Sequence, residues 1–319
     1  MLYRRHLRIK VLQALYSWYS GVNDDLPKSE NELLTGINKL FELFVWQLSF
    51  ILELKQFAAM RIEDNKRKFY PTEDDLNPSL KFVENRVFTL LEQNKDFEKK
   101  KKLFKVKWTD QQETVRKFYS KLQSADFFKK YLAKPTSSLE EDRKLMVKIV
   151  DILLADFDLL KSFYEEKSVF FTDGYDLVNI LLIKFFDTIS EKFGPLTDLP
   201  PIFTTENEKV NDDHDFVEGL FRKVIRHEEE STEIIKAKTK NWEFERIPLM
   251  DVILLRMAIV ELQEMKSIPV KVTLNEYIEM AKFFSTPKSK IFVNGILDNL
   301  IREFKESGKI NKSGRGLKE

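Results

Sequence analysis

Arg4, Arg5, His6, Arg8 and Lys10 fall within seven residues, with no acidic side chain among them. Guanidinium groups hold phosphates bidentately and stack on unpaired bases, so a helix presenting such a row can grip a single nucleic-acid strand. On a helix Arg4 and Arg8 share one face, while Leu7, Val11, Leu15 and Trp18 share the other. The competing reading is a solvated first turn, which basic residues destabilise mildly by opposing the helix dipole. Two more clusters carry the same chemistry: Lys99 to Lys102 with Lys105 and Lys107, and the pair Lys288 and Lys290. The first reads as a solvated loop or a supplementary RNA contact. Other chemistries lack their residues. The chain has no cysteine, which removes disulfides, thiolate metal sites and a cysteine nucleophile. His6, His214 and His227 are too scattered for a metal centre. No glycine-rich phosphate loop or nucleophile elbow occurs. The expectation is a non-enzymatic protein with no catalytic residue, no metal and no cofactor.

The elements that must position these residues are helices. Of 319 residues, 43% are hydrophobic and 33% charged, with only nine glycines and ten prolines to break helices. The 27 phenylalanines predict bulky filling between helices. Acids and bases nearly balance, 52 against 53, so any nucleic-acid signal is local. A helix starts near Arg4 and stops at Gly21 and Asn23. Ser29 and Glu32 resemble a capping box for a long helix ending near 61–65. Further helices are expected at 80–93, in short pieces over 109–133, and at 139–166, capped by Ser138. More follow at 174–192, 215–239, 247–264, 270–284 and 287–306. Residues 194–215 read as a linker. The basic residues Lys309, Lys312, Arg315 and Lys318 lie in a stretch expected to be a disordered tail, 307–319. No signal peptide and no run of about eighteen uncharged apolar residues is visible, which predicts a cytoplasmic protein without a membrane segment.

Two separated segments carry a resemblance. The first is RRHLRIKVLQALYSWY, Arg4 to Tyr19. The second runs from Leu249 to Leu300 and holds Leu255–Arg256 to Leu262, Ile268 to Glu276, Ala281–Lys282 and Phe292 to Asp298 in order. Together they resemble the NusB antitermination family, in a long variant. The resemblance implies an all-α fold, a NusB-like helical bundle formed by 1–20 plus 206–306 and enlarged by an inserted helical region, with 21–205 a helical insertion or an N-terminal extension of the bundle. Within the second segment Phe292, Ile296 and Leu300 are expected to line one face, and Gly295 to permit a close helix crossing. Arg256 is expected to pair with a carboxylate, and Asn275 and Glu276 to cap or bond a neighbouring helix.

The resemblance also implies function: binding of single-stranded boxA-like RNA together with the ribosomal protein NusE, with other Nus factors and RNA polymerase engaged indirectly. The RNA surface implied combines Arg4, Arg5, His6, Arg8 and Lys10 with the turn holding Lys288 and Lys290. Family members often carry an acid and a histidine in that turn, so this chain departs toward a more basic surface, favouring phosphate grip over base choice. Tyr16 and Asp251 match the positions that face NusE. Tyr16 also reads as a half-buried packing residue, and Asp251 as a favourable charge in a helix's first turn. The alternative is a helical interaction scaffold that does not touch RNA. Arginines locked onto carboxylates would take the mechanism from the RNA reading.

Overall fold

The computed structural model describes residues 2–21, 25–203, 212–240 and 243–317, without the side chains of 212, 315 and 316. Asn23, positions 204–211 of the expected linker and Lys318 lie outside the described residues. Among the described residues there are fifteen α-helices and no strand, the all-helical class expected. The chain forms two compact units, residues 38–202 and residues 2–37 with 203–319.

The unit of residues 38–202 begins with the larger part of α2, Leu26–Lys66. That helix starts before the expected Ser29 cap: Asp25 Oδ1 accepts the Lys28 N–H at 3.0 Å, and Ser29 is buried inside the first turns. By length and composition α2 is apolar enough to cross a membrane, but 72% of its most apolar window is buried inside the protein, as in a core helix. There follow α3 (Glu73–Leu76), α4 (Arg86–Gln93), α5 (Lys95–Leu103), α6 (Gln112–Ser124), α7 (Asp126–Leu132), α8 (Leu139–Lys148), α9 (Asp158–Lys167) and α10 (Tyr175–Thr188). The helix expected from Leu80 starts only at Arg86, because Asn85 Oδ1 accepts the Val87 N–H and caps it there. The helix expected over 139–166 opens at Ser138 as expected, but α8 passes into a π-helical turn, Ile149–Leu154, before α9. Aromatic rings fill this core: Trp46 meets Trp108 edge-on at 5.3 Å, Phe50 meets Phe118 at 5.2 Å, and Trp108 Nε1 donates to Ser49 Oγ. Gly174 lets α10 approach α2, since a Cβ there would meet Leu40 Cδ2 at 2.7 Å.

The other unit holds α1 (Arg4–Tyr19), α11 (Asp212–Arg226), α12 (Glu228–Lys238), α13 (Leu249–Glu264), α14 (Val270–Phe284) and α15 (Ser289–Glu306). Helix α1 buries Leu7, Val11, Leu12 and Leu15 and stops at Gly21, whose φ of +71° suits glycine. The single helix expected over 215–239 breaks at His227 into α11 and α12. Pro248 and Pro269 sit at the N-caps of α13 and α14, where a missing N–H costs little. Helix α13 is buried from Asp251 to Leu262, and α1, α11, α12, α14 and α15 pack around it. On α15 the buried stripe is Val293, Leu297, Leu300 and Phe304, not Phe292 and Ile296. Nothing approaches Gly295 within 4 Å, so the expected close crossing is absent there.

The stretch expected to be a disordered tail is docked at its middle. Lys312 Nζ donates to the carbonyl oxygens of Glu261 and Met265 at 3.0 Å, and Ser313 N–H donates to the Lys266 carbonyl. A lysine there adds a charged donor to carbonyls at the C-terminal end of α13, where the helix dipole favours a cation. Partial burial pulls its ammonium down to about 8, against the opposing pull of Glu261.

Candidate nucleic-acid interface

The basic start of α1 is tied to acids on three other helices. Arg8 is 2% exposed, and its Nε and Nη2 donate to the two carboxylate oxygens of Glu261 on α13, each at 2.8 Å. Thr273 and Tyr277 of α14 donate to the same carboxylate at 2.8 and 3.1 Å. Burial alone would lower the Arg8 guanidinium, but the charge and hydrogen bonds of Glu261 outweigh it and hold Arg8 above its ordinary value. Burial, reinforced by Glu261, pushes the Tyr277 phenol well above its usual range. Arg8 is therefore a strut joining α1, α13 and α14, and it is not presented to a strand of RNA. The sequence spacing put it on the face of Arg4, but the acid that draws it inward lies 253 residues away.

Arg5 is paired too, in a more open place. Its Nε and Nη2 donate to Glu276 at 2.8 and 2.7 Å, and its side chain is 53% exposed. The Glu276 hydrogen bond and charge raise its guanidinium pKa. Arg4 Nε donates to Asp213 Oδ1 at 3.3 Å, and its guanidinium lies 5.1 Å from the centre of the Phe216 ring. The His6 ring Nδ1 accepts the Tyr3 N–H at 3.3 Å, closing the open end of α1. Lys10 is half-buried and engaged. All three arginines thus have carboxylate partners, the arrangement that weakens the RNA reading of this helix. Partly exposed pairs such as those of Arg5 and Arg4 contribute little to stability and exchange partners readily.

The second basic cluster stands elsewhere on the unit. Lys288 and Lys290 are exposed at the start of α15, and neither forms an ion pair among the described residues. Beside them in the chain Phe283 and Ile291 are 70% and 78% exposed. Sequence reading missed these apolar side chains, because their spacing is equally that of a core stripe. The Thr286–Ser289 turn is braced from below: Ser289 Oγ donates to Asp251 Oδ2 at 2.7 Å. Asp251 is only 2% exposed, so in this structure it holds the start of α15 and is not offered to a partner. Tyr16, by contrast, is 45% exposed. Arg256 meets the carboxylate expected of it, pairing with Glu228 at 3.0 Å; it also donates to Thr232 and lies 4.5 Å from the Tyr19 ring centre. Glu276, bonded to Arg5, does bridge to a neighbouring helix.

The two basic clusters do not merge into one patch. Arg8 meets α13 at Glu261, whereas the Lys288–Lys290 turn meets it at Asp251. At about 1.5 Å per residue these anchors are about 15 Å apart along the helix axis. A strand touching both clusters must run along the unit.

Fold and site together define an all-helical protein whose candidate site is a set of local cationic clusters on a helical bundle. Within that class the NusB family model matches residues 188–302, on a chain that carries an additional helical region. The chain is 47% identical over 103 residues to a transcription antitermination protein NusB from Salinibacter ruber, covering 32% of this chain and 64% of that protein. Proteins of the same name from Chloroherpeton thalassium and Trichlorobacter lovleyi are 43% identical over 103 residues and 44% identical over 86. These cover 32% and 27% of this chain, and 49% and 61% of the relatives. The chain thus spans about half to under two thirds of the relatives it matches. No solved structure matches it significantly. The family match begins after α1, but α1 packs on α11 and α13 of the matched region.

Proposed function

We propose that this protein is a non-enzymatic transcription antitermination factor that binds boxA-like single-stranded RNA together with NusE, supporting ribosomal RNA transcription. Other Nus factors and RNA polymerase are engaged indirectly. The observation that carries this reading is the NusB-family match over 188–302, with relatives named as antitermination proteins. The RNA-facing groups are Lys288 and Lys290, with Phe283 as a base-stacking surface beside them. Arg5 joins them by exchanging Glu276 for a phosphate, with Arg4, His6 and Lys10 around it. Arg8 has no direct part. Tyr16 is the exposed candidate for the NusE face, and Asp251 acts by fixing the turn before α15.

The test is fluorescence anisotropy of a labelled boxA-type RNA with the full chain, with and without NusE. Lys288→Glu with Lys290→Glu is expected to weaken binding strongly, and Arg5→Ala moderately. Binding by the wild type that neither change alters overturns the assigned surface. The carboxylate pairing of all three arginines favours the second reading, a helical scaffold without direct RNA contact. No RNA binding with or without NusE selects it.

A further inference from the structure

The lysine run of residues 99–107 lies outside the set of residues assigned to the proposed antitermination surface, and the structure gives it a shape. In the unit of residues 38–202, α5 ends against a cavity of about 480 Å³. Small-molecule sites are typically about 300–1,000 Å³, so this one has room for a mononucleotide-sized group. Lys101, Lys102, Lys105 and Lys107 all line it. Lys101 is paired with Glu98, whereas Lys102, Lys105 and Lys107 are exposed and have no carboxylate within ion-pair distance among the described residues. Of the two acids on the wall, Glu98 is thus neutralised, and Glu53 accepts a hydrogen bond from Gln112 at 2.8 Å. The apolar part of the lining is buried Leu52, half-buried Val106 and buried Trp108.

The backbone is arranged to put one of these lysines there. Val106 N–H donates to the Lys101 carbonyl and Lys105 N–H to the Lys102 carbonyl, the paired bonds that end a helix with a left-handed residue. That residue is Lys105, at φ +52°, in a place where glycine is favoured. Strained positions of this kind collect at sites that bind. The Lys105 side chain has no ion-pair partner among the described residues and lines the cavity.

We propose that this cavity binds a phosphate-bearing nucleotide, with the phosphate held by Lys102, Lys105 and Lys107 and the base laid on the apolar part of the lining. The nucleotide is either free or one unit of a single RNA strand; both present the same chemistry. This site is independent of the proposed antitermination surface and stands on other residues.

The test uses the full chain, with AMP by calorimetry and a short single-stranded RNA by anisotropy. Lys102→Gln/Lys105→Gln/Lys107→Gln is expected to lower affinity about tenfold, equivalent to about 1.4 kcal/mol. For RNA it also flattens the log–log salt dependence by about 0.7 for each phosphate no longer neutralised. Adenosine, without phosphate, is expected to bind both proteins alike. An effect on AMP identifies the free nucleotide as ligand, and an effect on RNA alone identifies a strand. Lys105→Gly relieves the left-handed strain, so it is expected to raise Tm while weakening the same ligand. It serves in place of the triple variant should that one fold poorly. Lys288→Glu/Lys290→Glu leaves AMP binding unchanged, which separates this site from the antitermination surface. Unaltered affinity of the folded variants for AMP and for RNA overturns the proposal, as does failure of wild type to bind either.

Discussion

Arg8 and Glu261 meet in a bidentate pair whose members are 2% and 0% exposed at the side chain, with Thr273 and Tyr277 completing the carboxylate's hydrogen bonds. Taking two charges out of water is costly, and the pair is sustained by its two-pronged geometry and by the further hydrogen bonds that the carboxylate accepts. Removing one partner is a different matter from removing both. Arg8→Ala leaves Glu261 buried without a counter-charge and is expected to lower the unfolding free energy by about 3–5 kcal/mol. Arg8→Met with Glu261→Leu is expected to recover much of that loss, since neither charge then remains. Urea unfolding of the three proteins measures this. An Arg8→Ala loss no larger than that of Arg5→Ala, whose pair is half exposed, would place Arg8 at the surface after all. At this scale the sequence was readable in residue type and opaque in partner. An arginine one helical turn from Arg4 looks like its neighbour on a surface, and nothing local marks Glu261 as the acid waiting for it.

Among the elements, the helices with long apolar periodicity were legible, and α14 falls on its expected bounds of 270–284. Breaks inside a continuing apolar pattern were not. Residues 139–166 carry one periodicity but contain a π-helical turn, because that turn keeps its apolar face buried through Ile149, Val150, Leu153 and Leu154. Likewise α11 and α12 join at His227 without a glycine or proline to announce it. Helix α15 shows the opposite failure, a residue whose presumed reason is missing. Gly295 sits in the helix interior, exposed, with nothing near enough to require it. A mid-helix glycine costs about 0.5–1 kcal/mol relative to alanine. Gly295→Ala is therefore expected to stabilise the protein by about that amount, partly through the unfolded chain. Thermal unfolding checks it, and a fall in Tm would reveal a close approach that this packing does not contain.

For the whole molecule, formal charge is nearly cancelled at +1, with 53 basic against 52 acidic side chains. Long-range attraction to a polyanion is therefore weak, and RNA affinity must come from local groups of cations. This limit makes the salt dependence a count of phosphates gripped. Single-stranded RNA loses about 0.7 in log–log slope for each phosphate neutralised. If Lys288, Lys290 and Arg5 grip the RNA as proposed, the slope for a short boxA-type strand is expected near −2. Lys288→Glu/Lys290→Glu is expected to flatten it by about 1.4, and Arg5→Ala by about 0.7. Sequence reading reached the two lysines by resemblance and local charge. On α1 it did not show that the five basic residues in a row of seven include a core strut, a helix-closing histidine and two carboxylate-paired arginines. Anisotropy titrations across a range of potassium chloride concentrations decide the count. A slope far steeper than −2 would mean that other cations take part, and one indifferent to both Lys288 and Lys290 would remove the turn before α15 from the interface.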